Sequence, residues 1–101
     1  MNLSGCEVKD SDLKVIAKLK NLTRLNLQQN PIRARDLVSL KTLTHIEILN
    51  LHSTLVNQDV FEVLKAIPSL KKVFLWNTRV SANAVLKNKA AFPQTEFISE
   101  L

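Results

Sequence analysis

The chain of 101 residues has no tyrosine, and only one glycine, one cysteine, one methionine and one tryptophan. Each scarcity excludes a class of function. Gly5, the only glycine, leaves no glycine-rich loop to cradle phosphates. Cys6, the only cysteine, excludes an intrachain disulfide and a multi-thiolate metal site, and leaves the redox compartment open. His45 and His52 form no H-x-x-x-H pair, and neither C-x-x-C nor C-x-x-C-H occurs, so zinc and covalent haem have no sequence site. Four phenylalanines and one tryptophan are too few for a platform that stacks many bases. The net charge of +5 is scattered in ones and twos, so nucleic acid is not an expected partner. No apolar run is long enough to span a membrane, and Met1-Asn2-Leu3-Ser4-Gly5-Cys6 lacks the basic start of a signal peptide. Glu7, Asp10, Asp12, Asp36, Glu47, Asp59 and Glu62 fall mostly on turns and helix starts. There they favour the positive helix end and water. With no convergent acid, base or nucleophile set, the expectation is a protein that is not an enzyme and holds no cofactor of its own.

What is present is a register. Hydrophobic residues make up 46% and charged residues 23%, as in an ordinary globular domain. Leu22, Leu25, Leu27, Asn30 and Ile32 recur as Ile46, Leu49, Leu51, Thr54 and Val56, and again as Leu70, Val73, Leu75, Thr78 and Val80. A truncated copy opens the chain at Leu3, Cys6 and Val8. Leu3, Leu27, Leu51 and Leu75 are 24 residues apart each time. This is the spacing of a leucine-rich repeat. It predicts a single domain over 1–101 with units at 3–26, 27–50, 51–74 and 75–98.

Within each unit, alternate leucines such as Leu25 and Leu27 predict a short parallel strand with one buried face. The following half changes period. Leu13, Ile16, Ala17 and Leu19 predict a one-sided helix, as do Leu37, Leu40 and Leu43, and Phe61, Leu64 and Ile67. The predicted fold class is therefore α/β: a right-handed β-α superhelix with a short parallel sheet on its concave face and short helices on its convex face. No unit buries its apolar side alone, so neighbours must stack. Cys6, Asn30, Thr54 and Thr78 share one column after the strand. A small polar side chain there is expected to point inward and satisfy loop backbone groups, a structural ladder. Pro31 suits a loop, and Pro68 and Pro93 stand where a helix must stop before the next strand.

The two ends differ. The pattern enters half-way through a strand at Leu3, with no amphipathic segment ahead to cover the end. Met1 thus reads as a cut inside a longer array, and the raw N-terminal edge as a place for self-association. Towards the other end Asn88, Gln94 and Thr95 stand where Leu64, Leu70 and Lys71 stand one unit earlier. The decay reads as a natural C-terminal cap, with Phe97-Ile98 as a last edge strand and Glu100 discouraging strand addition.

Residues between the buried ones line the open sheet face: Arg24, Asn26 and Gln28; Ile48, Asn50 and His52; Lys72, Phe74 and Trp76; then Glu96 and Ile98. Phe74 and Trp76, two places apart, share that face, with His52 one strand over from Trp76 and Ile48 one strand over from Lys72. An aromatic cluster rimmed by Arg24, Lys72 and Glu96 has the make-up of a protein contact surface. An equally open alternative is that Phe74 and Trp76 pack on each other to shield the last strands.

The wording of the units adds a resemblance. L-K-N-L-T-R-L-N-L-Q-Q-N (Leu19 to Asn30), I-L-N-L-H-S-T-L-V (Ile48 to Val56) and L-K-K-V-F-L-W-N-T-R-V (Leu70 to Val80) are similar to C-terminal leucine-rich repeats of large bacterial proteins. These are c-type-cytochrome-domain proteins of Planctomycetes and Bacteroidetes. The family's D-A-G-L helix start appears here as Ala34-Arg35-Asp36-Leu37, Gln58-Asp59-Val60-Phe61 and Ala82-Asn83-Ala84-Val85. Asp10-Ser11-Asp12-Leu13 alone keeps its leading Asp, which puts helix capping in question. The resemblance implies a terminal recognition module of a periplasmic or envelope-associated redox protein, with haem only in an upstream parent region. A cytoplasmic repeat protein is the alternative location. The favoured function is protein–protein interaction through Arg24, Ile48, His52, Lys72, Phe74 and Trp76. A purely structural solenoid end and a carbohydrate-binding concave face are the alternatives.

Overall fold

The computed structural model describes residues 1–99, so the expectation for Glu100 lies outside the described residues. Four three-residue strands, β1 (Arg24–Asn26), β2 (Ile48–Asn50), β3 (Lys72–Phe74) and β4 (Glu96–Ile98), form one parallel sheet in the order β1-β2-β3-β4. The pairing register is 24 residues throughout: Leu25 opposite Leu49, Leu49 opposite Val73, Val73 opposite Phe97. Backbone hydrogen bonds extend beyond the named strands into the following turn, from Leu27 N to Asn50 O, Leu51 N to Phe74 O and Leu75 N to Ile98 O. At the N-terminal edge, Asn2 bridges Asn26 in the same parallel sense.

Between the strands run α1 (Asp10–Ile16), a 3-10 helix (Ala34–Thr42), α2 (Val60–Leu64), and α3 (Ala82–Asn88), which passes into a short 3-10 turn at Lys89–Ala91. α1 packs beside the 3-10 helix, and that helix beside α2. The second element was expected to be an amphipathic helix, and it is a 3-10 helix. Leu37, Leu40 and Leu43 are spaced by three, and three residues per turn put all of them in one line, each buried. The chain is thus mixed α/β, a four-stranded parallel sheet covered by short helices.

The core lies between these layers. Leu25, Leu49 and Val73 point into it from the strands, Leu27, Leu51 and Leu75 from the turns, and Leu13, Leu37 and Phe61 from the helices. Each fully buried side chain of this kind contributes about 1.5–3 kcal/mol by leaving water. At the last strand three aromatic rings close the core. Phe61, Phe92 and Phe97 meet with centroids 5.1–6.1 Å apart, the Phe92–Phe97 and Phe61–Phe97 pairs edge to face. This cluster compensates for the polar Asn88, Gln94 and Thr95, which hydrogen-bond instead to the carbonyls of Ala84, Pro68 and Leu70.

The helix starts, in question from the sequence, are capped in two ways. Lys9 and Arg33 stand at the cap positions of the first two helical elements and offer no accepting side chain. There the carboxylate three residues on reaches back: Asp12 Oδ2 accepts from Lys9 N at 2.9 Å and Asp36 Oδ2 from Arg33 N at 2.8 Å. One and two units later those acidic positions are Val60 and Ala84, and the caps move to the other end of the motif. Asn57 Oδ1 accepts from Asp59 N, and Ser81 Oγ from Ala84 N, both at 3.0 Å. One side-chain acceptor per helix start satisfies one orphan backbone donor in each unit.

A further column is invisible to hydrophobic pattern. Gly5, Gln29, Ser53 and Asn77, again 24 apart, all have left-handed backbone with φ between 55° and 63°. The chain must turn sharply there to leave the sheet. Glycine and asparagine adopt this conformation readily, whereas Gln29 and Ser53 are held in it by the surrounding bonds.

Candidate functional site

The inward column after the strands is a hydrogen-bonded ladder at three of its four positions. Asn30 is buried, and its Nδ2 donates to Leu3 O (2.9 Å), Leu27 O (3.0 Å) and Gln28 O (3.1 Å). Its Oδ1 accepts from Val8 N at 2.9 Å. Thr54 is also buried, and Thr78 half-buried; each donates to its own unit, to Leu51 O (2.8 Å) and Leu75 O (2.6 Å). Only the asparagine is long enough to stitch two units together. Cys6 departs from the expectation: it is exposed, and its Sγ meets only Ser4 O at 3.4 Å. It stands at the edge of the fold beyond β1, where its outer side is open to solvent.

That edge shows the same effect in its apolar side chains. Met1 is 48% exposed, although Leu25 and Leu49 in its column are 1% and 0% exposed. Leu19 is 44% exposed, against 1% for Leu43 and 2% for Ile67. With Leu3, Val8 and Val15 they line an open hollow of about 410 Å³. This is the N-terminal edge for which self-association was expected, and its apolar character comes from core-type side chains left open to solvent on their outer side.

The sheet face carries the residues singled out from the sequence, in three columns. The first is Arg24, Ile48, Lys72 and Glu96, paired in that order along the sheet. Lys72 Nζ lies 3.9 Å from Glu96 Oε1, and Arg24 is exposed at the opposite border. Such a surface ion pair stabilises little. The second column is Asn2, Asn26, Asn50, Phe74 and Ile98. Its asparagines each accept from the backbone N–H two residues on, at Ser4, Gln28 and His52, all at 3.0 Å. The third, at the turn end, is Ser4, Gln28, His52 and Trp76.

Across these columns the face changes character. On its N-terminal side polar groups satisfy one another: Gln28 Nε2 donates to Ser4 Oγ at 3.1 Å, and Asn50 Nδ2 to Gln28 Oε1 at 3.3 Å. On its C-terminal side the rings meet. Phe74 and Trp76 are edge to face at 5.5 Å, and the His52 ring lies 4.3 Å from the Trp76 ring, tilted by 37°. Ile48, His52, Lys72, Phe74 and Trp76 are all half-buried. The cluster forms on the open face, and its rings pack on one another.

One feature was missed by pattern alone. Both nitrogens of His52 are engaged by the same residue. Nδ1 lies 3.2 Å from Trp76 O, and Nε2 accepts from Trp76 Nε1–H at 3.1 Å. A carbonyl only accepts and an indole N–H only donates, so the two contacts together select the neutral ring with its proton on Nδ1. Ser53 Oγ stands 3.3 Å from both nitrogens and itself accepts from Asn77 Nδ2 at 2.6 Å. The 24-residue offset between His52 and Trp76 is the signal that brings them together.

His45 lies apart, on the connection before β2, with Nδ1 3.2 Å from Lys20 O. Among the described residues no three of His, Cys, Asp and Glu converge, and no helix is long and apolar enough to cross a membrane. Compared with known proteins, the sequence matches no family model and no curated protein.

Proposed function

We propose that this chain is a leucine-rich repeat solenoid serving as a non-catalytic protein-interaction module, with the sheet face around Ile48, His52, Lys72, Phe74 and Trp76 as its contact surface. The repeat reading is supported by the recurrence of four features at 24 residues: strand pairing, buried leucines, left-handed turns and the Asn30, Thr54, Thr78 column. The observation that carries the function is the change along the face, from amides that satisfy one another to half-buried rings. Rings held by their neighbours lose little entropy on binding, and Trp is prominent among interface anchors. In the same reading the module ends an envelope-associated, c-type-cytochrome-like parent, and any haem belongs to that parent upstream. A second reading, a purely structural solenoid end, is favoured by the mutual packing of Phe74, Trp76 and His52.

Two experiments separate these readings. Partner capture from an envelope fraction is compared for the protein, Trp76→Ala and Val38→Ala, the last on the exposed helical side. A hot-spot tryptophan predicts capture weakened by about tenfold or more for Trp76→Ala, with an unchanged far-UV spectrum and no change for Val38→Ala. Equal capture by all three rejects the sheet face and leaves the structural role. An immunoblot of source-cell fractions beside a haem stain tests the parent: a small, soluble, haem-negative band rejects it.

A further inference from the structure

We propose that His52 is a proton-operated latch on Trp76, so that the sheet face changes its hydrogen-bonding character with pH. The regulatory consequence rests on the interaction reading above; the latch itself does not. The neutral ring, protonated on Nδ1, donates to Trp76 O and accepts the Trp76 indole N–H on Nε2. A solvent proton can add only at Nε2, and the imidazolium has two donors and no acceptor. The indole N–H then faces another N–H, and its bond is lost. One contact takes up the new state. The Trp76 ring, 4.3 Å away, stabilises the cation through its π face, while the added N–H, displacing the indole, turns to water.

The charged surroundings are sparse. Across the columns His52 faces Gln28 and Trp76, and along its own segment Asn50 and Ser53, all uncharged. The turn column behind it, Gly5, Gln29, Ser53 and Asn77, is uncharged as well. Arg24, Lys72 and Glu96 stand at the strand starts, beyond Asn26, Asn50 and Phe74, and Lys72 is paired with Glu96. Beyond the turn, Glu7 and Arg79 hold the loop positions equivalent to Pro31 and Leu55. None of the ion pairs among the described residues includes His52. Protonation therefore adds a charge where there was none, and frees an indole donor beside it. The face is then suited to a partner that presents a carboxylate, and at higher pH its indole donor is occupied by His52.

Trp76 is the sole tryptophan, so the protein has one indole N–H resonance to follow in a nitrogen-15-labelled sample. Its position and solvent-exchange rate are recorded from about pH 5 to 8, where histidine changes charge. The wild type is compared with His52→Gln and His45→Gln at each pH. Gln28 occupies the position of His52 one unit earlier, so the glutamine is compatible with the fold. The expected result is a one-proton transition of the indole resonance in the wild type and in His45→Gln, absent in His52→Gln. On the acid side the wild-type exchange rate exceeds that of His52→Gln by about two- to tenfold, the factor one hydrogen bond carries. An indole resonance without a transition, or one that persists in His52→Gln, overturns the latch. No partner enters this experiment, so its failure leaves the interaction reading standing, and failure of the Trp76→Ala capture test leaves the latch standing.

Discussion

Replacing Asn30 by alanine removes the only side chain in its column that joins two units. Four contacts go: from Nδ2 to Leu3 O, Leu27 O and Gln28 O, and from Val8 N to Oδ1. They are not equal in cost. The bonds to Leu3 O and Gln28 O are partly buried, and water can replace them. Those to Val8 N and Leu27 O are buried, and each group left unsatisfied costs about 1–3 kcal/mol. The expected loss is therefore about 2–6 kcal/mol, a large share of the ~5–15 kcal/mol that holds an ordinary domain together. Asn30→Thr is the informative partner. A threonine in this column donates to the carbonyl three residues back, as Thr54 does to Leu51 O, so it retains the Leu27 bond and strands only Val8 N. Its cost should be roughly half that of alanine. Urea unfolding followed by Trp76 emission and by far-UV circular dichroism measures both. With a slope of about 1–3 kcal/mol per molar, the alanine midpoint should fall by ~0.7 M or more. Hydrogen exchange at Val8 N–H should accelerate before that of β2, because the first unit is the one released. An Asn30→Ala loss below about 1 kcal/mol, or a threonine variant no better than alanine, refutes this reasoning.

Gln29 is exposed and held at a φ of 58°, so Gln29→Gly should stabilise the protein. Relief of about 1–2 kcal/mol of left-handed strain outweighs the ~0.4–1 kcal/mol of added chain entropy, a net gain of a few tenths to about 1 kcal/mol in thermal unfolding. A destabilised Gln29→Gly would show that the turn is not strained. Asp36→Ala removes the acceptor for Arg33 N and should cost about 0.5–2 kcal/mol, matched by Ser81→Ala one cap type later. If Asp36→Ala is neutral in the same unfolding assay, the 3-10 helix does not depend on its cap.

Periodicity carried much of this protein. Leu25 and Leu27, Leu49 and Leu51, and Val73 and Leu75, each pair 24 residues after the last, are buried, and the strand register pairs those columns without a slip, because parallel strands in register present the same face to the core. A side chain's column in the sequence is thus its neighbour in space, which is why the meeting of His52 with Trp76 was legible as adjacency. Its hydrogen bonds were not, since they depend on ring orientation. Cys6 shows the complementary failure. Its column predicts burial, but burial requires a layer on the other side, and a local pattern contains no information about whether one is there. The helix caps likewise shift between Asp12 or Asp36 and Asn57 or Ser81, a trade that a search for one fixed motif misreads as loss.

The amino-acid order by itself determined the units, their 24-residue pitch, the buried columns and the membership of the open face, because each follows from which side chains avoid water at regular intervals. Only the tertiary structure decided which helix tightens to 3-10, where the backbone turns left-handed, and that Trp76 lies held between Phe74 and His52. Those features arise from contacts between units, where one chain segment's geometry is set by the shape of the next.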